Sequence, residues 1–334
     1  MAAALFVFAF STLPLENSGL AIDWKVFWHA THAFQIDYSS QLVFTPPWGL
    51  AMLWPLSWMP LAASWGLVAL VTLCTLVLAA VRHSAERRSL WAGVLLCASY
   101  PAVRQLADGN IEFLVIAGAM LLLWALPRQH VGAFALGALM CSSKLQESWL
   151  LLAIVGLIAW RQWPVHSFLR MLVCALVPAF MFFAWRGSAW LDALEVFPFA
   201  GTQIDASLHA VAARLGLPAG VYVAALVAML AGVFAIVRRS GWQLDPLQAG
   251  SLLAAGLLLA PYAASNSVLG PLALAVPVGL SRGTRGVLLL AAANLPYLLI
   301  GSAEWRLTQE SNYWALVLML VFVSGLIPAT KTKN

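Results

Sequence analysis

The chain has 334 residues, 62% of them hydrophobic and 9% charged, with 18 basic and 13 acidic side chains and a formal charge of +5. A mean hydropathy of +0.87 excludes an ordinary water-soluble domain and every soluble enzyme class. No polar stretch is long enough to fold separately, so residues 1–334 read as a single transmembrane domain. The positive balance is explained by orientation and by anionic lipid head groups, not by nucleic acid.

Elements follow in chain order from apolar runs and from Pro and Gly breaks. Ala2–Leu13 reads as a short first helix pointing outward, not a removed signal, because it has no basic n-region and no convincing cleavage site. A long outer loop, about residues 15–45, mixes aromatic and polar residues and is expected to carry short surface helices. Pro46-Pro47 opens an apolar stretch that ends near Met59-Pro60. It is too short and too rich in Trp and Pro for an easy span, and reads as a re-entrant or juxtamembrane helix.

Spans are then expected at about Leu61–Val81, Leu90–Ala102, Ile111–Leu126, Val131–Ser142, Ser148–Trp160, Met171–Trp185, Val221–Val237, Leu247–Ala260, Val268–Leu280, Gly286–Ile300 and Tyr313–Ile327. This predicts an all-α polytopic membrane protein of about twelve transmembrane helices, several of them short. A second long outer loop, about residues 186–218, is expected to hold a helix at Ala206–Leu215.

Loop charges set the orientation. Arg82, Arg87 and Arg88, then Arg128, Arg161 and Arg170, then Arg238 and Arg239, Arg282 and Arg285, and Lys331 and Lys333 occupy alternate loops. The loops between them hold every acid except Glu86 and Asp245. Basic loops stay cytoplasmic. Both termini are therefore expected inside, with the carboxylates on the outer face of the membrane. Most tryptophans fall at span ends and read as an interface belt. Trp24 and Trp28 differ, because they lie inside the first outer loop. Cys74, Cys97, Cys141 and Cys174 sit in apolar segments without metal spacing and are expected to be free, buried thiols.

That first loop reads Ile22-Asp23-Trp24-Lys25-Val26-Phe27-Trp28-His29-Ala30-Thr31-His32, then Asp37-Tyr38 and Phe44-Thr45-Pro46-Pro47. On a helix, Lys25, His29 and His32 share a face. An acid beside such a face suits a general base next to a phosphate clamp. It equally suits an Asp23 that pairs with Lys25 or caps a short helix. His29 and His32 have metal-ligand spacing but no clear third ligand, so no metal or other cofactor is indicated. Arg104 and Asp108, four apart, suit a helical ion pair. Lys144, in the short run Cys141-Ser142-Ser143-Lys144-Leu145-Gln146-Glu147, is a polar group at membrane depth that needs partners.

Asp23-x-x-x-Phe27-Trp28, Asp37-Tyr38 and Phe44-Thr45-Pro46-Pro47 resemble the first-loop signature of GT-C glycosyltransferases of the family 87 type. These are bacterial polyprenyl-phosphate-sugar mannosyl- or glycosyltransferases. The likeness continues through Pro55-Leu56, Met59-Pro60, Gly109-Asn110, Lys144, Ala206-Ser207-Leu208 with Arg214, and Ala260-Pro261-Tyr262, so its order covers most of the chain. The resemblance implies a GT-C-like fold in a bacterial cytoplasmic membrane, with a site facing the periplasm. It implies inverting hexosyl transfer from a polyprenyl-phosphate donor to a lipid or glycan acceptor, with Asp23 as the base. Lys144 would be the first choice for the donor phosphate, with Arg104, Lys25 and Arg214 behind it. His29, Asp37, Tyr38, Asn110, Gln146, Tyr262 and Asn266 would complete the substrate site. Two rival expectations are a transporter or flippase of an amphipathic substrate and an inactive relative serving envelope assembly. Transporters place polar residues near helix centres; here the helix centres are nearly free of charge.

Overall fold

The computed structural model describes residues 2–13, 15, 18–39, 43–82, 87–195, 205–299 and 309–327. Glu16, Glu86, Glu304, Lys331 and Lys333 lie outside the described residues, as do residues 196–204 of the second long loop. The described residues form an all-α protein with no strand; one isolated bridge pairs Asp205 with Ala264.

The chain begins with α1 (Ala2–Ser11). The long loop after it carries α2 (Ile22–Thr31), and the stretch that follows Pro46 forms two short helices, α3 (Pro47–Ala51) and α4 (Trp54–Ser57). The long α5 (Leu61–Val81) follows, then α6 (Arg87–Cys97), α7 (Tyr100–Asp108) and α8 (Glu112–Ala125). After these come α9 (Val131–Cys141), α10 (Leu145–Gln162) and α11 (Val165–Glu195). The second long loop holds α12 (Leu208–Arg214). The chain continues with α13 (Ala219–Arg239), α14 (Pro246–Leu259), α15 (Leu269–Ser281), α16 (Arg285–Asn294), α17 (Pro296–Leu299) and α18 (Gln309–Leu326).

By length and composition, α5, α11, α13 and the stretch from α9 through α10 taken as one are long and apolar enough to cross a membrane, with a fifth if the bent pair α7 and α8 counts as one span. Several others run 10–17 residues. At 1.5 Å per residue these fall short of the roughly 30 Å hydrocarbon core. The expected span at Leu90–Ala102 is in fact broken. α6 ends at Cys97, and Pro101 near the start of α7 begins a separate amphipathic helix. Conversely, α11 runs on to Glu195 through what was read as the start of the second outer loop. Its Pro178 does not end it. Only Cys141 is buried among the four free thiols; Cys74 and Cys174 are exposed. Their helix faces point away from the bundle, which apolar composition alone does not reveal.

Side-chain contacts sort the loop charges into two ends. Arg82 and Arg128 both lie over the Trp124 ring. Trp163 Nε1 donates to Leu126 O (3.0 Å) and Gln162 Nε2 to Trp242 O (2.9 Å). Arg161 stacks on Trp242, Arg282 pairs with Asp245, and Arg239 and Arg285 donate to the carbonyls of Leu326 and Ile327. The basic loops thus meet at one end. These contacts also show that α9 and α10 form a hairpin, since residues 126 and 163 come together while the turn at Ser142–Lys144 sits by Glu112.

The core is a dry packing of α8, α10, α14, α15 and α18, with Leu122, Leu151, Leu252, Leu253, Leu272 and Leu318 fully buried. Glycines let the helices approach closely. Gly250 sits against Pro271 O and Gly256 against Glu147 O. α14 starts sharply because Asp245 and Gln248 form a capping box with Pro246 at the first turn.

Candidate functional site

The acidic loops meet at the opposite end, around Asp23. Two aromatic anchors, one buried and one half-buried, hold α2 there. Trp24 is fully buried and its Nε1 donates to Ser64 Oγ (2.8 Å); Trp28 Nε1 donates to Met59 O (3.0 Å). The function these two tryptophans serve is therefore placement, with the neighbouring Asp23 left at the mouth of a cavity. Gly109, with φ of +70°, caps α7 in a left-handed turn against Trp24. This turn presents Asn110 to Asp23.

Asp23 Oδ2 accepts from Asn110 Nδ2 (2.6 Å) and Asn266 Nδ2 (3.2 Å). It neither pairs with Lys25 nor caps α2, whose N-cap is Ala21. No hydrogen bond reaches Oδ1 among the described residues. Burial pushes the Asp23 carboxyl above its ordinary range, opposed by the Asn110 hydrogen bond and the Lys144 and Arg104 charges. A carboxylate raised in this way is a stronger base than a solvated one.

Asp23, Asn110, Lys144, Gln146, Tyr262 and Asn266 come together around a polar cavity of about 140 Å³. Phe44, Gln146 and Tyr262 also line a second, apolar cavity of about 650 Å³, whose walls include Pro46, Leu145, Trp149, Trp190 and Leu259. Leu145 and Trp149 reach the outer surface of the bundle. A lipid-sized apolar groove therefore adjoins the acid. Trp190 also fixes one wall, its Nε1 donating to Phe44 O (3.0 Å), and Tyr38 acts from behind, its Oη donating to Thr45 O (2.8 Å).

Other candidates stand elsewhere. Lys25 Nζ donates to the carbonyls of Leu15 (2.7 Å) and Ser18 (3.3 Å), so it ties down the loop. His32 stacks on Trp28 and bonds Ser57 O, while His29 packs edge-on against Trp28. The expected basic face of Lys25, His29 and His32 therefore does not line the cavity. Among the described residues no group of three or more His, Cys, Asp or Glu side chains could hold a metal. Asp37 bonds Ser39 and lines a separate 320 Å³ cavity with Arg186 and Asp192. Arg104 pairs with Asp108 (3.5 Å) and with Glu310. Arg214 donates to Asn312 Oδ1 (3.0 Å) and Asp205 O (2.7 Å) and so fastens the second long loop.

Lys144 is the best-connected cation. Its Nζ donates to Glu112 Oε2 (2.5 Å), Asn110 Oδ1 (3.0 Å) and Ser267 Oγ (3.0 Å). An ammonium has three donors, and all three are taken. Lys144 thus fixes Asn110, which in turn holds Asp23. Glu112, Glu147 and Ser267 belong to this network and were missed in the sequence. The only signal was the burial of Glu112 and Glu147 at helix starts that lack any basic neighbour but Lys144. Both acids crowd Gly270, whose N–H donates to Glu112 Oε1 (3.2 Å), and a Cβ there would collide with both carboxylates. Gly270→Ala should therefore cost about 1–3 kcal/mol of stability through overpacking. A thermal melt of the purified variant in detergent checks this; an unchanged melting temperature would disprove the crowding.

No family model, no curated protein and no solved structure matches this chain. The class that fold and site define is an all-α protein with several candidate membrane-crossing helices and a half-buried acid in a cavity beside an apolar groove.

Proposed function

We propose that the chain is a membrane-embedded glycosyltransferase that moves a hexose from a polyprenyl-phosphate donor to a lipid or glycan acceptor. The observation that carries this reading is the junction of the 650 Å³ apolar groove with the cavity holding Asp23. An isoprenoid chain fits the groove, its phosphate falls at the junction by Gln146 and Tyr262, and the sugar enters the polar cavity. Asp23 then takes the proton of the acceptor hydroxyl as that oxygen attacks the anomeric carbon, and the polyprenyl phosphate leaves. The family 87 resemblance in Asp23-x-x-x-Phe27-Trp28 and Phe44-Thr45-Pro46-Pro47 supports the same reading. Lys144 and Arg104 supply positive potential to the site, and Lys144 acts by holding Asn110.

In this reading the apolar helices make about twelve crossings of a bacterial cytoplasmic membrane, short ones extended by their loops. Both termini are cytoplasmic and the site faces the periplasm in this reading, which the sorted loop charges support. Nucleotide sugars do not reach that face, and the sequence has no Gly-rich phosphate loop to hold one.

Two experiments test this. Purified protein should transfer hexose from a polyprenyl-phosphate sugar and not from a nucleotide sugar; use of the nucleotide sugar alone would reject the proposal. Single cysteines replacing Asp37 and Arg239, on a background lacking the native thiols, should label from outside intact cells at 37 only. Labelling at 239 with none at 37 would invert the topology.

A further inference from the structure

The search outside the transfer site leads to Glu112 and Glu147. Both are fully buried, and among the described residues Lys144 is the cation beside them. Their environments differ. Glu112 accepts from Lys144 Nζ through Oε2 and from Gly270 N through Oε1. Neither oxygen of Glu147 has a hydrogen-bond donor, and the nearer approach to Lys144 Nζ is 4.0 Å. The Oε1 atoms of both acids flank Gly270 at the spot a side chain would fill.

Two carboxylates and one ammonium leave an excess negative charge. Removed from water, such a charge costs several kcal/mol unless it is neutralised. Like charges sharing a site do not both ionise. A carboxylate oxygen without a donor is equally unfavourable, whereas a protonated carboxyl supplies its own donor. The same missing object answers both problems.

We propose that Glu147 is a proton-binding site: it holds one proton and donates it in a hydrogen bond to the ionised Glu112, leaving Lys144 paired with a single negative charge. The ligand is a proton, and the site lies behind the cavity, one side chain from Asn110. Other titratable groups facing it are Cys141 from α9 and, beyond Lys144, Asp23 from α2. The sequences of α14 and α15 bring none. The proton keeps the Lys144 head centred on Glu112, Asn110 and Ser267, so it preserves the arm that orients Asp23. The assignment is independent of the transfer reaction, and its test needs no turnover.

The test is infrared spectroscopy of the full chain in detergent at neutral pH, with thermal melts of two variants. Wild-type protein should show the carbonyl stretch of a buried protonated carboxylic acid. Glu147→Gln should abolish that band and melt as wild type does, because the amide keeps a donor toward Glu112. Glu112→Gln should melt markedly lower, because it removes the ionised partner of Lys144. The band should persist in Asp23→Asn, which separates it from the catalytic cavity. Absence of the band in wild type, its survival in Glu147→Gln, or the reverse order of the two melts would overturn the proposal. A melting temperature raised by sodium over choline chloride would also overturn it, by making the occupant a metal cation.

Discussion

Asp23→Asn is expected to lower turnover by ~10²-fold or more while the protein still inserts and folds. The amide keeps the size of the side chain and can still accept at its oxygen from Asn110, yet it cannot take a proton. Near-normal transfer would remove Asp23 as the base and favour a transport or binding role. The pH profile gives a second reading. A base works only when ionised, and burial raises the Asp23 pKa. Activity should therefore fall on acidification at a higher pH than for an ordinary aspartate. Asn110 gives the largest of the opposing contributions. Its loss in Asn110→Ala should move the acid limb to still higher pH, and a limb that stays in place would show that another group sets it.

Lys144→Ala is expected to destabilise the fold by about 3–5 kcal/mol, as removal of one partner from a buried ion pair does. Three hydrogen bonds vanish, to Glu112, Asn110 and Ser267. Glu112 is left with a charge, no cation and no water. The loss should show as a lowered denaturation midpoint in detergent before any effect on donor affinity can be measured. Lys144→Met combined with Glu112→Gln should recover much of it, because the isolated charge is then removed with its partner. Wild-type stability in Lys144→Ala would mean that the pair contributes nothing and that the lysine is free to serve a substrate phosphate.

This differs from the role the isolated sequence suggested for Lys144. A lysine between two apolar helices had to have a partner, and a lipid phosphate was a reasonable one. Glu112 lies 32 positions away and Ser267 lies 123 away. Nothing in local spacing pairs them. The face of Lys25, His29 and His32 failed for a related reason. Periodicity grouped them on one side of a helix, but α2 ends at Thr31, and which residues meet the cavity depends on where Trp24 and Trp28 are anchored. Tyr38, expected at the substrate site, instead supports residue 45, and Trp190 both supports residue 44 and lines the apolar cavity.

The sequence by itself determined the solvent; the direction it suggests rests on loop charge alone. High apolar content and loop charges of alternating sign depend on composition and on the cost of moving charge into lipid, which are local properties. It also picked out Asp23, Asn110, Lys144, Gln146, Tyr262 and Asn266, which do converge on one cavity. Tertiary structure decided helix length, the break at residues 98–99, and the division of labour within the site. An apolar run does not reveal whether a helix is extended by packing, as in α11, or interrupted at a proline, as before α7. Whether a cation is free for substrate depends on which acids, distant in sequence, are packed beside it. Removal from water makes that pairing compulsory, and only the folded chain determines the partners.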